Sequence, residues 1–367
     1  MMTAFSDVFA DVTKQGTKLQ TSEYLPSGKY PIIDQGQDDI AGYTDREDGL
    51  FTDVPAIIFG DHTRIVKYVD MPFFLGADGV KVLKATIPDV DYRYLYYAVS
   101  AVKIPNTGYN RHFKWLKEAQ ISLPDLSTQR RIADTLDKVS EGIGLCGRMM
   151  DELDLMVKAK FGEMFGDAHN NSAFPYKNIG DLTTVTSGGT PDRENNLYWD
   201  DGNIRWVKTT ELQNCTICDT EEKITKLGLE NSSAKLVPAG SVLIAMYGQG
   251  KTRGMTAYLE NESATNQACA CILPSSKINQ KYLWKYLMLS YDKLRSMAKG
   301  GNQPNLNIGI IKNFPVLYPP IELQNQYVEF VIYIDKSILT IKGILAKMEE
   351  MKLALMQKCF KEGKHGE

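Results

Sequence analysis

Between Leu123 and Asp167 the apolar positions fall into a heptad. Ile132, Leu136, Val139, Ile143, Cys146, Met150, Leu153 and Val157 are separated by alternating steps of four and three. That spacing predicts a long helix whose narrow seam is covered by another helix, rather than the wider apolar face of a globular helix. A second stretch, ending at Phe360, carries Phe330, Ile334, Ile341, Ile344, Met348, Met351 and Leu355, with a break at Ser337 beside Ile338. Each run is announced by a proline clause: Leu123-Pro124-Asp125-Leu126-Ser127-Thr128-Gln129-Arg130-Arg131, and Tyr318-Pro319-Pro320-Ile321-Glu322-Leu323-Gln324. The two clauses stand about 195 positions apart, so the chain contains an internal repeat. Two single heptad helices most simply bury their seams against each other. Antiparallel pairing would carry what precedes each helix to opposite ends of a rod, with Gln129 to Gly166 spanning roughly 55 Å. Gly142, Gly144 and Gly147 interrupt the first run. Each costs up to about 1 kcal/mol against alanine, and a kink or a close helix approach is expected there.

The rest of the pattern has a shorter period. Residues 1–120 show brief apolar runs such as Ala56-Ile57-Ile58-Phe59 and Val80-Lys81-Val82-Leu83, bounded by Gly, Asp and Pro. Such runs predict strands and turns. An amphipathic helix is expected from Asp91 to Val102, followed by a loop from Pro105 to Trp115. Residues 168–316 repeat the same plan with different words. The runs Ile204–Val207, Ser241–Met246 and Ala268–Leu273 read as strands, Lys281–Ala298 as a helix, and Lys299–Leu306 as a loop.

Composition adds bounds rather than identity. With 367 residues and 43% hydrophobic content, the chain can bury two cores of ordinary size. It holds no apolar run long enough to span a membrane. Its first residues lack the basic-then-apolar order of a signal peptide, so the six cysteines are expected as reduced thiols in a cytoplasm. The net charge of −3 does not mark a nucleic-acid binder, but its distribution is uneven. Arg93 to Lys117 holds five Lys/Arg and no acid, and Lys277 to Lys312 holds seven against the single Asp292. These basic windows occupy equivalent places in the two repeats, and each includes a Gly/Asn/aromatic loop. That coincidence points toward phosphate contact and base reading rather than two solvated faces.

Candidate catalytic chemistry is thin. Met246-Tyr247-Gly248-Gln249-Gly250-Lys251-Thr252 resembles a phosphate-binding loop only in part, since Ala245 stands where that spacing needs glycine. The residues after Thr252 also continue as strand instead of opening a helix. A hairpin with Lys251 and Arg253 facing an anion is the better expectation. Cys215 and Cys218 have metal-ligand spacing, but Cys269 and Cys271 sit in a period-two strand and read as small buried residues, so no metal is expected. The four histidines lie apart from any nucleophile pattern. Tyr318-Pro319-Pro320-Ile321 lacks the leading Asn or Asp of an amino-methyltransferase loop, and Asp219–Lys223 reads as a charged turn.

Ser187-Gly188-Gly189-Thr190-Pro191, Tyr198-Trp199, Ile204–Thr209 and Glu211-Leu212 resemble the opening of a target-recognition domain in the DNA specificity (S) subunits of type I restriction-modification systems. Val237–Gly240, Thr252-Arg253-Gly254, Thr265–Ala268 and Asn302–Leu306 fit the same pattern in the same order. Tyr30–Ile33, Ile40–Thr44 and Gly108–His112 are the matching phrases of a more divergent first domain. The resemblance implies an α+β chain: two mixed β-rich target-recognition domains, separated by two long antiparallel coiled-coil helices in a pseudo-two-fold repeat. The expected division is a first recognition domain at 1–120, a central spacer helix at 121–167, a second recognition domain at 168–316 and a distal spacer helix at 317–367.

It further implies a non-catalytic subunit that reads a bipartite double-stranded DNA target, one half-site per domain. Two modification (methyltransferase) subunits would carry S-adenosylmethionine and methylate adenine. Restriction subunits, where present, would add ATP- and Mg-dependent cleavage, and no cofactor is expected in this chain. The expected DNA-contacting residues of the first domain are Gln35, Gln37, Tyr43, Arg46, Tyr109, Asn110, Arg111, His112 and Lys114. In the second they are Ser187, Gly188, Thr190, Lys208, Tyr247, Lys251, Arg253, Asn302 and Gln303. These types suit the task, because Arg can bridge guanine and Asn or Gln adenine through paired hydrogen bonds. Two other classes stay open: an assembly scaffold with no DNA role, and an NTPase built on Gly250-Lys251-Thr252.

Overall fold

The computed structural model describes residues 2–108, 110–171, 173–248, 250–298 and 305–360. It divides into two compact units, Met1–Arg148 with Ile341–Glu367, and Met149–Thr340. The first unit opens with β1 (Met2–Ala4), α1 (Phe5–Val8) and β2 (Phe9–Asp11). Next come β3 (Tyr30–Ile33), β4 (Gly42–Thr44), β5 (Ala56–Gly60), β6 (Val66–Val69), β7 (Phe74–Leu75) and β8 (Val80–Ala85). The unit then adds α2 (Tyr92–Ser100), α3 (Phe113–Lys117), β9 (Gln120–Ser122) and the long α4 (Leu126–Phe165), which continues into the second unit.

The second unit runs β10 (Tyr176–Asn178), α5 (Ile179–Leu182), β11 (Val185–Ser187), β12 (Ile204–Val207), β13 (Cys215–Ile217), β14 (Glu222–Ile224) and α6 (Lys226–Glu230). It continues with β15 (Val242–Ala245), β16 (Thr256–Leu259), β17 (Ala264–Thr265), β18 (Cys269–Ile272), α7 (Gln280–Leu289), α8 (Tyr291–Ser296) and α9 (Ile308–Lys312). It closes with β19 (Pro315–Leu317) and the long α10 (Ile321–Cys359), whose end belongs to the first unit.

Strand order makes the repeat explicit. The first unit has a sheet ordered β2-β8-β5-β6, and the second β11-β18-β15-β16 with β13 added at the edge. The smaller sheets match as well. β3 pairs antiparallel with β4 and parallel with β7; β12 pairs antiparallel with β14 and parallel with β17. β1 pairs with β9 immediately before α4, and β10 pairs with β19 immediately before α10. The central strands β5 and β15 are buried at every position, as a continuous apolar run demands.

The two halves also share a set of polar joints. Asp91 caps α2 by accepting from the backbone N–H groups of Arg93 and Tyr94, and Asn279 caps α7 by accepting from Lys281 and Tyr282. The backbone N–H of Asp91 donates to Gln129 Oε1 at 3.0 Å, and that of Asn279 to Gln324 Oε1 at 2.9 Å. Gln129 Nε2 donates to the Pro124 carbonyl at 2.9 Å, and Gln324 Nε2 to the Pro319 carbonyl at 2.8 Å. Tyr94 donates to the Ser122 carbonyl at 2.7 Å and Tyr282 to the Leu317 carbonyl at 3.0 Å. Both glutamines are buried. Each therefore ties the start of its long helix to the cap of the short helix in front of it.

Within each unit the helix segments run antiparallel. In the first, Gly142 faces Met348, while Ala133, Ile132 and Phe360 share one core cluster. In the second, Tyr327 packs on Phe161 and Phe165 and donates its hydroxyl to the Val157 carbonyl. The seam expected along α4 is buried or half-buried at all its positions. The seam expected along α10 needs correction. Ile344 and Met351 are exposed, and the covered heptad runs through Tyr327, Val331, Ile334, Ile338, Ile341, Leu345, Met348, Lys352 and Leu355. Ser337 does not break it. Tyr and Lys hid the phase, because each buries an apolar stem while keeping a polar tip; Lys352 Nζ lies 5.9 Å from the centre of the Tyr97 ring. Of the glycines, Gly142 has a packing reason, since a Cβ there would meet Met348 Cε at 2.2 Å. Nothing lies within 4 Å of that point at Gly147, and α4 is unbroken.

The helix expected over Lys281–Ala298 is two helices. Ser290 leaves the helical region, and its buried hydroxyl donates to the Tyr286 carbonyl at 2.8 Å, so the chain turns before α8.

These joints make two measurable differences. Gln324→Leu strands the Asn279 N–H and the Pro319 carbonyl in the interior, and should lower the second unit's stability by about 1–3 kcal/mol in denaturant titration. Asp125, just before α4, accepts from Ser127 Oγ and from the backbone and side chain of Thr128, which hold its pKa down at about 2. Because the folded pKa is depressed, this contribution is present above the ordinary value of 3.8 and is lost as pH falls through about 2. The stability gap between the wild type and Asp125→Asn should therefore close as unfolding is measured at progressively lower pH.

Candidate nucleic-acid interface

In each unit the central strand turns into its neighbour through a hairpin, buried or half-buried in the first unit except at Thr63 and exposed at Tyr247, Gly248, Gly250 and Lys251 in the second. In the first unit this is the turn between β5 and β6. Gln35 supports it from beyond β3: its Oε1 accepts from the His62 N–H at 3.0 Å, its carbonyl accepts from Thr63 Oγ1 at 2.7 Å, and its Nε2 donates to the Asp78 carbonyl at 2.8 Å. The loop before α3 closes over the same turn. The Asn110 carbonyl lies 3.2 Å from His62 Nδ1, and the His112 N–H donates to the Asp61 carbonyl at 2.7 Å. Two of the expected readers, Gln35 and Asn110, thus meet at one hairpin, with exposed Arg111 and Lys114 next in the chain. Gln37 is exposed on the turn after β3.

His112 is a correction. Its side chain is fully buried, and Nδ1 lies 3.0 Å from the Asp61 carbonyl, so this nitrogen is the donor. The Asp61 carboxylate accepts from the Phe113 N–H at 2.8 Å. The ring pins the loop from inside and cannot reach a base. Tyr43 belongs to β4 of the smaller sheet, and Arg46 lies in the loop that follows it. Tyr43 is half-buried and exchanges backbone bonds with Leu25, while Arg46 donates through Nε to the Asp48 carbonyl at 2.9 Å. Tyr109, Asn302 and Gln303 lie outside the described residues.

The corresponding hairpin of the second unit joins β15 to β16 and carries Tyr247, Lys251 and Arg253. Gly248, Gly250 and Gly254 adopt φ of +138°, +58° and +86°. Such values favour glycine and let the chain reverse within few residues. After the turn the chain runs on as β16, as expected of a hairpin rather than a phosphate-binding loop. Behind it, the Met246 N–H donates to the Ala268 carbonyl at 2.9 Å, and the Leu306 N–H to the Met246 carbonyl at 3.0 Å. Thr190 reaches the neighbouring Gln267 through its hydroxyl. The Thr265–Ala268 segment therefore connects the loop after β11 to the β15–β16 hairpin.

Gly188 is a second correction. It is buried, and a Cβ on it would come within 2.0 Å of the Thr265 carbonyl oxygen, so it is glycine for close packing rather than for DNA contact. Ser187 is the last residue of β11, paired with Ala270. Lys208 is ion-paired to Glu221 at 2.8 Å and to Glu222 at 3.3 Å, and the hydrogen bond to Glu221 leads the rise in its pKa.

The basic windows also shrink. Arg93 binds Asp91, Asp134 and Asp137; Lys285 is buried against Asp335; Lys277 donates to the Asp181 carbonyl. These cations join elements of the fold. Cys269 and Cys271 line the core under β15, where burial pushes the first thiol well up and the second to about 11. Among the described residues no group of three or more His, Cys, Asp or Glu is placed to hold a metal ion. No helix among them is long and apolar enough to cross a membrane.

Sequence reading missed His62, Thr63 and Arg64 in the first hairpin, and Tyr291 and Arg295 behind the second. Aligning Ala56–Phe59 with Ser241–Met246 would have exposed the first group, since it marks the turn after β5 as the partner of the turn after β15. No local signal marks Arg295.

A duplicated sheet unit, each copy presenting a central hairpin and joined to a long helix, is the architecture of a known family. The type I restriction modification DNA specificity domain matches residues 3–153 and again 171–350, so the chain belongs to this family. It is a specificity subunit with two such domains, and the family's role is to recognise DNA sequence; the subunit itself is not catalytic. The EcoR124I/EcoR124II specificity subunit of Escherichia coli is 25% identical over 348 residues, covering 89% of this chain and 85% of that one. The HindI specificity subunit of Haemophilus influenzae is 26% identical over 153 residues, 40% of this chain and 32% of that one. The crystal structure of an S subunit from M. genitalium superposes with a TM-score of 0.63 at 17% identity, covering 99% of this chain and 96% of that one. A chain from a study of complex assembly in a type I restriction-modification system gives 0.57 at 16% identity, covering 98% and 97%.

The buried histidine gives a direct check. His112→Ala should destabilise the first unit by roughly 1–3 kcal/mol, because removing the buried ring leaves a cavity and takes one of the two donors from the Asp61 carbonyl. Wild-type unfolding in that variant would show that the ring does not pin the loop.

Proposed function

We propose that each recognition domain reads one half of a bipartite DNA target and that the paired helices set the gap between the halves. The domains are taken as 1–120 and 168–316, with spacer helices at 121–167 and 317–367. The observation that carries this is the duplication itself. The same sheets and the same capping joints occur twice, and each copy ends in its own long helix through a buried glutamine. Two equivalent readers suit two half-sites on one duplex.

The reading side chains are Gln37, Asn110, Arg111 and Lys114, exposed at or beside the hairpin of the first domain, and in the second the exposed Tyr247 and Lys251 with the half-buried Arg253. Tyr109, Asn302 and Gln303 join them from the sequence. Ser187 and Thr190 line the second reader's flank.

In the working complex this chain sits with two modification subunits in the cytoplasm. Those subunits hold S-adenosylmethionine and methylate adenine. A restriction subunit adds ATP- and Mg-dependent cleavage where the system includes one. The family membership supports this assembly. The modification partners also supply much of the phosphate contact, consistent with a DNA-reading chain whose own net charge is −3.

The test is to map N6-methyladenine genome-wide with this chain and its modification partner, before and after replacing residues 1–120 with those of another specificity subunit. One half of a split motif should change while the other half and the gap persist. A continuous motif, or no change of motif, would show that the chain acts as a scaffold rather than a reader.

A further inference from the structure

We propose that Arg295 is a positioning residue for DNA reading by the second domain: it holds the backbone carbonyls of Gly250, Lys251 and Arg253 in the β15–β16 hairpin so that the loop's side chains are presented in one frame. The proposal deepens the function above and rests on this hairpin being a reader.

Arg295 belongs to a basic window that the sequence alone assigns to phosphate contact. Its guanidinium is already engaged. Nη1 donates to the Arg253 carbonyl at 2.6 Å and lies 3.4 Å from the Lys251 carbonyl, while Nη2 donates to the Gly250 carbonyl at 2.9 Å. Tyr291, one helical turn earlier, donates its hydroxyl to the Lys251 carbonyl at 2.6 Å and accepts from Arg295 Nη1 at 3.0 Å. The guanidinium carbon lies 5.2 Å from the centre of the Tyr291 ring. One planar fork and one phenol therefore capture three carbonyls of a glycine-rich turn. An arginine suits this work because it presents five N–H donors in fixed directions, which a lysine does not.

The hairpin is shaped to receive the fork. At Gly254 φ is +86°, and a Cβ there would lie 3.0 Å from Arg295 Cγ, so the side chain packs directly over the base of the turn. Leu294 beside it is buried in the core, and α8 is thereby anchored. The side chains of Tyr247 and Lys251 remain exposed. The loop is held by its backbone and leaves its side chains for a partner. In the first domain Gln35 touches the equivalent hairpin more lightly: its Oε1 accepts from the His62 N–H, its backbone carbonyl accepts from the Thr63 hydroxyl, and its Nε2 donates to the Asp78 carbonyl outside the turn.

The experiment maps N6-methyladenine for the full chain with its modification partner, using Arg295→Met, Arg295→Lys, Tyr291→Phe and the double variant Lys251→Ala/Arg253→Ala. Arg295→Met should relax discrimination at the second half-site by about tenfold, leave the first half-site unchanged and leave thermal melting near wild type. Arg295→Lys should fall between, because it keeps the charge and loses the fork. If Arg295→Met reads the second half-site with full fidelity while the double variant does not, the hairpin reads DNA and the positioning role is wrong. If neither alters the second half-site, the hairpin is not a reader and both readings fall. Should Arg295→Met fail to fold, Tyr291→Phe decides: a relaxed second half-site supports the clamp, and an unchanged one overturns it.

Discussion

A buried primary amide must find partners for both its ends, and this requirement places the rest of each half. Gln129 and Gln324 satisfy it in the same way, accepting from the cap of the short helix and donating to the carbonyl of the proline before the long helix. An isolated glutamine in that interior would cost free energy. Satisfied at both ends, it leaves one admissible relation between α2 and the start of α4, and between α7 and the start of α10. The chain of dependence continues outward. Tyr92 of α2 accepts from the Ala85 N–H of β8 at 2.9 Å, and Trp284 of α7 donates to Thr256 Oγ1 of β16 at 3.1 Å. From long helix to hairpin, each half is one continuous run of hydrogen bonds and packed rings.

Several cations in this chain work inward. Arg93, Lys208, Lys285 and Arg295 all stand in regions where a DNA binder is expected to present cations, yet each is bonded to carboxylates or carbonyls of its own fold. Sequence discrimination in such a molecule comes from where a few exposed side chains are held, and less from a general attraction to phosphate. An acidic specificity subunit is physically consistent on those terms.

The repeat, the α+β class and the seam of α4 were legible because they rest on spacing, which folding does not alter. The phase of α10 was not, because Tyr327 and Lys352 occupy seam positions while the apolar Ile344 and Met351 do not. The single helix read over Lys281–Ala298 failed at Ser290, whose hydroxyl competes for a helix carbonyl in a way that depends on its burial. The loops that carry the candidate residues were legible, and the surroundings of their side chains were not. His112 and Gly188 have the right residue types for DNA contact, and only tertiary packing shows that one is a buried pin and the other a place where two backbones nearly touch. Arg295 failed in the opposite direction: a cation in a basic window looks like a phosphate ligand until its acceptors are seen.

The grip of Arg295 on carbonyl oxygens has an evolutionary corollary. Every residue type brings the same carbonyl, so the fork is indifferent to what stands at 247, 251 or 253. Substitution at those positions leaves in place the carbonyls that Arg295 holds. Under the reading proposed above, such a subunit can change target through substitutions at those loop positions, its frame inherited and its alphabet free.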